Sequence, residues 1–173
     1  MKKIVVIVLA VALLALPIFP VLATKPTTMT LSGTMIIIGP GTGSIFPAGE
    51  SGNIQTKFRD APFVLAGDII AGIIGDPSNP ATWIPGGLYD GNMLVKPSGD
   101  ITWHGTWTME AATIEGIGTG SLKFGSSWDE GDPAAKWWVT GATGELSGLK
   151  GKGSAWLIID PFLYGYEFEA QIP

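Results

Sequence analysis

The sequence has no cysteine, a single histidine and few charged residues, which make up 14% of its 173 positions. Without cysteine there is no disulfide, no thiolate metal site, no thiol nucleophile and no lipid-modified anchor. Because His104 is the only histidine, every histidine-based triad, metal site or acid–base pair depends on that one residue. These absences favour a binding or structural protein over an enzyme, and no cofactor is expected.

Basic residues are also scarce, since ten Lys and Arg stand against fifteen Asp and Glu. Two of the ten are Lys2 and Lys3, in a segment that we expect to be removed. The mature chain then carries eight basic and fifteen acidic residues, a net charge of −7. Nucleic acids and anionic lipids are bound by clustered Lys and Arg. The composition therefore disfavours nucleic acid as a partner, and no membrane binding is expected once the leader is cleaved.

The N-terminus has the order of a signal peptide. Lys2 and Lys3 precede an uncharged apolar run at residues 4–16, and small residues follow up to Ala23. We expect cleavage after Ala23, a secreted or cell-surface location, and a single mature domain at residues 24–173. Counted through residue 22, the run approaches the roughly 20 residues that span a bilayer. An uncleaved N-terminal anchor therefore stays open as an alternative.

What the sequence has in abundance is glycine, with 25 residues, together with aromatic and β-branched side chains. This mixture argues against disorder and indicates many strands joined by many turns. The clearest period of two lies at residues 101–110. One face of that strand would carry Ile101, Trp103, Gly105, Trp107 and Met109. We predict an all-β domain of about eight to ten strands, with single helical turns at most.

Other segments predict further elements. Residues 63–74 are apolar and predict one long, bent strand, whereas residues 75–87 contain enough proline and glycine to predict the longest loop. Residues 112–124 predict a strand with glycines at 116, 118 and 120 on one face. Residues 132–135 predict a single helical turn, and residues 162–172 predict a last strand with Tyr164 and Tyr166 on its apolar face.

A glycine-rich segment at residues 140–151, TGATGELSGLKG, resembles a segment of the allene oxide cyclase-like and dirigent-like barrels. Ala142 and Leu149 stand where that family usually has Gly and Ala. The resemblance implies a closed antiparallel barrel of about eight strands, calycin-like, with an internal ligand cavity and homo-oligomeric association. No block of the sequence matches the catalytic residues of the family, so the resemblance carries over no activity.

Several polar residues are candidates for chemistry. His104 and Glu110 would point inward only if the barrel had a polar lumen. The loop residues Asp129, Glu130 and Asp132 offer carboxylates of the kind that bind Ca²⁺, but without the spacing of an EF-hand loop. Glu167 and Glu169 share one strand face and lie side by side, whereas the two carboxylates of a glycosidase flank the scissile bond. We expect these residues to be solvated, and no metal site is predicted.

The aromatic residues are the remaining indication of function, because they offer large rigid surfaces to sugars and apolar ligands. Trp103 and Trp107 fall on the predicted core face, whereas Trp83 and Trp128 lie in predicted loops. The full set of candidate ligand-binding residues is Trp83, Trp103, Trp107, Trp128, His104, Tyr164 and Tyr166.

Three functions are compatible with the sequence. The first is binding of an apolar or aromatic small molecule in the lumen, or a structural role at the cell surface. The second is an isomerase or cyclase of the allene oxide cyclase or dirigent kind. The third is a carbohydrate-binding module that uses exposed tryptophans. A wide cavity lined by Trp, Tyr and a few carboxylates would favour the first two, and a filled barrel with Trp83 and Trp128 exposed in a row would favour the third.

Overall fold

The computed structural model describes residues 26–76, 79–159 and 163–172. The predicted signal peptide at residues 1–23 lies outside this range. Within it, no helix has both the length and the apolar character that crossing a membrane requires. The described chain is almost entirely β-structure, as predicted.

Twelve strands and two short 3-10 helices make up the described chain. The strands are β1 (Thr27–Ile37), β2 (Thr42–Ala48), β3 (Asn53–Gly67), β4 (Ile69–Ile70), β5 (Gly72–Ile73), β6 (Ile84–Pro85), β7 (Gly87–Val95), β8 (Ile101–Ile114), β9 (Gly118–Asp129), β10 (Ala135–Ala142), β11 (Lys150–Ile159) and β12 (Leu163–Ile172). The 3-10 helices are Pro80–Thr82 and Gly144–Leu146.

Eight of these strands close into an antiparallel barrel, which confirms the predicted architecture. Their order around the barrel is β1, β12, β11, β10, β9, β8, β7 and β3, and pairing of β1 with β3 completes the circle. Strand β3 is long enough to pair with two strands along the edge that faces away from β7. Its first half pairs with β2 and its second half pairs with β1. The short β4 pairs with β8, and β5 pairs only with β6.

Aromatic side chains fill the middle of the barrel. Trp107 lies at their centre and is 1% exposed. Its ring centroid lies 4.2 Å from that of Tyr89, 5.1 Å from Phe63 and 5.4 Å from Trp137. These residues come from four different strands, because period-two alternation sends every second side chain inward. The hydrophobic core therefore lies inside the barrel and occupies the place of a wide lumen.

The turn between β8 and β9 corrects one prediction. Residues 112–124 do not form a single strand, since β8 ends at Ile114 and β9 starts at Gly118. Gly116 has φ 78° and Gly118 has φ 136°, values that side-chain-bearing residues rarely adopt. Gly116 thus lies in a tight turn, Gly118 is the first residue of β9, and Gly120 lies further along that strand.

The segment at residues 63–74 is also divided. The chain bends at Gly67, which has φ 118°, and continues as the separate strands β4 and β5. The next residue holds this bend, because the Asp68 carboxylate accepts a 2.7 Å hydrogen bond from the Ser32 backbone N–H. Gly67 and the hydrogen bond of the exposed Asp68 carboxylate therefore break a segment that its apolar composition alone predicts to be continuous.

The glycine-rich segment closes one end of the barrel. Strand β10 ends at Ala142, the 3-10 helix Gly144–Leu146 follows, and Leu146 and Leu149 are both buried. The expected helical turn at residues 132–135 was wrong, because those residues connect β9 to β10 without a helix. The short helix lies instead where the glycines let the chain fold back under the core.

Candidate binding groove

Two of the sequence-derived candidates are parts of the core. Trp107 and Tyr166 are each 1% exposed. The Trp107 indole donates a 2.9 Å hydrogen bond to the Ser126 hydroxyl. The Tyr166 hydroxyl accepts a 3.1 Å hydrogen bond from the Ile69 N–H and donates at 3.3 Å to the Ile69 carbonyl. The polar groups of both side chains thus already form hydrogen bonds within the protein.

The other candidates are distributed over the barrel and its loops. Trp103 and Tyr164 are half-buried and pack against the core. Trp83 and Trp128 are also half-buried, and their indoles donate to the carbonyls of Asp76 at 3.0 Å and Asp132 at 2.9 Å. Trp83 thus secures its own loop. Trp128 was predicted to lie in a loop but is a residue of β9, and it secures the turn that follows this strand. The seven candidate residues do not come together in one site.

His104 lies on the outer face of β8 and is exposed. Its strand neighbours are Asn92 on β7 and Ser127 on β9. Glu110 is exposed on the same strand. Neither residue faces the aromatic interior.

The acidic loop after β9 has structural contacts. The Glu130 carboxylate accepts a 2.8 Å hydrogen bond from the Ile101 N–H, and Asp132 forms a 2.9 Å ion pair with Lys136. This contact raises the pKa of Lys136, chiefly through the hydrogen bond from its ammonium group to the carboxylate. In the described part of the chain, no three acidic or histidine side chains gather in a way that could hold a metal ion.

An open depression lies on the outside of the barrel. It has a volume of about 670 Å³ and crosses β10, β11 and β12. We call it the two-tryptophan groove. Its lining residues are Lys136, Trp137, Trp138, Lys152, Gly153, Ser154, Trp156, Glu167, Phe168 and Glu169.

The two exposed tryptophans of this groove owe their position to strand alternation. Trp137 and Trp138 are neighbours on β10, so one must point inward and the other outward. Trp137 is buried at 3% exposure, whereas Trp138 is 40% exposed. Trp156 on β11 is also 40% exposed. Neither Trp138 nor Trp156 is among the ligand-binding residues predicted from the sequence.

The two indole rings pack against glycines of the neighbouring strands. A Cβ atom on Gly125 of β9 would lie 2.5 to 2.7 Å from the ring atoms of Trp138, and one on Gly165 of β12 would lie 2.6 to 2.7 Å from those of Trp156. Each indole therefore rests on the bare backbone of the neighbouring strand. This contact restricts the rotation of the ring. A ligand that stacks on the ring would therefore cost little additional side-chain entropy.

The floor between the rings is polar. Lys152 stands opposite Trp138 on one side and Glu169 on the other, and Ser154 stands opposite Glu167. Within the described residues, Lys152, Glu167 and Glu169 form no ion pair and no side-chain hydrogen bond. Both donors and acceptors are therefore available to a ligand.

Strand geometry sets the length of the groove. Trp138 pairs with Lys152, and Trp156 follows four positions later on the same strand as Lys152. With a rise of about 3.4 Å per residue and about 4.8 Å between strands, the two tryptophan backbones are separated by roughly 14 Å. The two rings therefore mark the ends of an elongated site.

Comparison with known proteins defines the fold. No protein-family model matches the sequence, and neither does any curated protein. Among solved structures, the pterocarpan synthase dirigent protein GePTS1 is similar to this chain, with a TM-score of 0.50 and 13% sequence identity over 86% of this chain and 91% of that one. The chain thus has a dirigent-like barrel fold, which confirms the resemblance of its glycine-rich segment. At 13% identity the similarity extends to the fold alone.

Proposed function

We propose that this protein is exported and binds a glycan chain on the outside of its barrel, in the two-tryptophan groove. The observation that carries the proposal is the pair of exposed indoles, Trp138 and Trp156, at the two ends of one polar depression. A sugar ring has apolar C–H faces and a rim of hydroxyls. It therefore suits a surface that combines flat aromatic platforms with carboxylate, hydroxyl and ammonium groups.

The size and shape of the groove agree with this ligand class. A separation of roughly 14 Å between the two tryptophan positions matches an extended ligand and exceeds a single small ring. The free groups Lys152, Glu167 and Glu169 lie between the platforms, where hydroxyls of the middle sugar units would come. Aromatic stacking would supply affinity, and the polar floor would supply orientation.

The filled interior gives further support, since a wide cavity would have favoured binding inside the barrel. The exposed tryptophans are Trp138 and Trp156, whereas Trp83 in its loop and Trp128 on β9 are half-buried. We therefore propose the carbohydrate ligand that a filled barrel favours, but we assign its binding site to the outer face of β10–β12 and not to the residues predicted from the sequence.

Removal of either platform tests the proposal. We expect Trp138→Ala and Trp156→Ala each to weaken binding by about tenfold, because loss of one stacked ring costs on the order of 1 to 2 kcal/mol. Affinity electrophoresis in gels containing soluble glucans, xylans and chitosans would find the ligand, and titration calorimetry with the matching oligosaccharide would measure it.

Trp83→Ala is the matched control, since Trp83 is a half-buried tryptophan outside the groove. It should bind as the wild type does. An equal loss in all three variants, or retention of full affinity in both groove variants, would contradict the proposal, as would a failure of every glycan to bind.

A second candidate is binding of an aromatic small molecule inside the barrel, and two polar atoms favour it. Among the described residues, the Tyr89 hydroxyl and the Trp137 indole nitrogen are buried and find no hydrogen-bond partner, and such atoms cost free energy unless something pairs with them. A ligand that reached them would have to displace part of the aromatic core. The isomerase or cyclase alternative rests on the fold alone, and no residue is assigned to it.

Native mass spectrometry of protein purified from its own host tests both export and this second candidate. We expect the mass of a chain that begins at Thr24, with no bound small molecule. The mass of the full 173-residue chain would contradict cleavage. A retained aromatic compound, lost on Tyr89→Ala but not on Trp138→Ala, would favour the interior as the binding site.

A further inference from the structure

Charged residues are distributed unequally between the two tryptophans of the groove. With the two lysines of the predicted leader left out, eight Lys and Arg remain against fifteen Asp and Glu. Three of these eight, Lys123, Lys136 and Lys152, lie around Trp138. No Lys or Arg occurs at residues 153–173, which contain Trp156 and the strand β12 beneath it. The two ends of the groove therefore differ in charge.

Strand register places the three lysines on three sides of the Trp138 indole. The ring lies over Gly125 of β9, the residue opposite Trp138. Lys123 is two residues from Gly125 along β9, whereas Lys136 is two residues from Trp138 in the opposite direction along the barrel wall. Lys152 stands opposite Trp138 on β11. All three lysines are exposed, because alternate residues of a strand share the face on which the ring lies.

Two of these ammonium groups have no partner in the described part of the chain. Lys123 and Lys152 form no ion pair and no side-chain hydrogen bond there. Lys136 forms the ion pair with Asp132, at 2.9 Å. Two positive charges beside the ring are therefore not compensated by a direct contact.

Other acidic residues of this wall are farther from the ring. Asp90 lies two strands from Gly125 and Glu169 lies three strands away, which corresponds to about 10 and 14 Å. The Asp90 carboxylate already accepts a 3.0 Å hydrogen bond from the Asp60 N–H. Since exposed charges are screened over about 8 Å at physiological ionic strength, the lysines dominate the field above the ring.

The Trp156 indole has different neighbours. Its ring lies over Gly165 of β12, and Glu167 is two residues further along the same strand and exposed on the same face. Thr34 of β1 stands opposite Gly165. This end of the groove thus offers a carboxylate and a hydroxyl to a ligand, and its strand neighbours supply no ammonium group.

We propose that the Trp138 end of the groove binds an acidic sugar unit, which carries a carboxylate or a sulfate group, and that the Trp156 end binds a unit without one. The apolar face of the sugar stacks on the indole, while Lys123 and Lys152 attract the anionic group at its rim. The difference in charge between the two ends also orients the chain. This inference rests on the glycan site proposed above and names the class of glycan.

Titration calorimetry with matched acidic and neutral oligosaccharides tests the inference. The probes are oligosaccharides of polygalacturonate, alginate and hyaluronan, each compared with its carboxyl-reduced form, in which a CH₂OH group replaces the carboxylate. At about 0.05 M NaCl, the wild type should bind at least one acidic form about ten times more tightly than its reduced form. Most of this preference should be lost at about 0.5 M NaCl, because salt screens exposed charges.

Two charge-matched double variants identify the lysines responsible. Lys123→Gln with Lys152→Gln should weaken binding of the acidic form about fivefold and leave binding of the reduced form unchanged. The control is Lys57→Gln with Lys96→Gln, which removes the same charge from β3 and from the turn after β7. It should bind both forms as the wild type does, since neither residue lines the groove.

The possible outcomes separate this inference from the proposed function. Equal affinity of the wild type for acidic and reduced forms, or equal losses in the two double variants, would overturn the inference and leave the glycan site standing. Undiminished binding of acidic forms to Trp138→Ala would also overturn it, because the charge would then act without the ring. Failure of every glycan to bind would overturn both. Tighter binding of dextran sulfate than of any uronate, still dependent on Trp138, would support the inference and identify the acidic group as sulfate.

Discussion

Trp107→Ala is expected to lower the free energy of unfolding by about 4 kcal/mol, since truncation of a buried tryptophan costs about 3 to 5 kcal/mol. Trp107 is 1% exposed and lies against Tyr89, Phe63 and Trp137. Its removal leaves a cavity in the middle of the barrel, because the surrounding rings belong to separate strands and cannot all move inward. The Ser126 hydroxyl also loses the 2.9 Å hydrogen bond from the indole.

Urea unfolding followed by circular dichroism measures this loss, which corresponds to roughly 10 °C in melting temperature for a domain of this size. The matched control is Trp138→Ala, which removes the same side chain from the outer face of the same barrel. We expect a loss below about 1 kcal/mol there, since Trp138 is 40% exposed. Similar losses for the two variants would mean that the interior is less well packed than described. Partial recovery of the Trp107→Ala variant in the presence of indole would support a cavity at that place.

The barrel could be predicted from sequence because its strands alternate clearly. On β8 the predicted core face holds Trp107 and Met109, and both are buried, whereas His104 on the other face is exposed. The glycine-rich segment at residues 140–151 added the family resemblance, and the structure agrees on closure and strand number. Alternation and glycine position are local properties, so the sequence displays them directly.

The breaks within the strands could not be predicted from the sequence in this way. Strand β2 was missed, because Gly43 and Pro47 gave its segment the composition of a loop. It exists since the first half of the long strand β3 offers it an edge to pair with. The division of residues 63–74 at Gly67 depends on the distant contact between Asp68 and Ser32. Such features follow from tertiary pairing, which local patterns do not contain.

The candidate groove was hidden for a related reason. The sequence predicts Trp83 and Trp128 to be exposed loop residues, but Trp128 lies on β9 and both indoles donate hydrogen bonds to nearby backbone carbonyls. The exposed platforms are strand residues. Adjacent Trp137 and Trp138 guarantee that one ring points outward, yet the pattern does not say which one. Trp156 lies in a run that is apolar on both faces, so alternation could not place it.

Gly125 and Gly165 connect the composition of the chain to the proposed site. Neither glycine has a positive φ, so neither is required by the backbone conformation. Each is instead the strand position over which an exposed indole lies. In this barrel, part of the glycine content therefore serves to hold aromatic rings flat on the outer wall, where a ligand can reach them.

Alkaline pH should destabilise the protein through its buried tyrosines. Burial raises the pKa of Tyr166 to about 12, and the hydrogen bond from the Ile69 backbone opposes this only in part. Burial also raises the pKa of Tyr89, and the nearby Trp103 indole, whose geometry falls short of a hydrogen bond to the hydroxyl, offsets only part of the rise. A folded-state pKa above the unfolded value means that the folded protein favours the neutral phenol. This contribution is fully present below about pH 10 and is lost as the pH rises towards 12.

For Tyr166 the loss amounts to about 2 to 3 kcal/mol between these pH values, and Tyr89 adds to it. Urea unfolding at neutral pH and at about pH 11 measures the effect. The two phenylalanine variants separate the contributions. At neutral pH, Tyr166→Phe should cost about 1 to 3 kcal/mol, because it leaves the Ile69 N–H buried without a partner.

Tyr89→Phe, in contrast, should not lower the free energy of unfolding at neutral pH. Its hydroxyl is buried and has no hydrogen-bond partner in the described part of the chain, so its removal should leave stability unchanged or raise it by up to about 1 kcal/mol. Each variant should also lose less stability than the wild type on going to about pH 11, since one buried phenol no longer ionises. If Tyr89→Phe instead destabilised the protein as much as Tyr166→Phe, its hydroxyl would have to be paired, and the interior would hold a water or a ligand at that position.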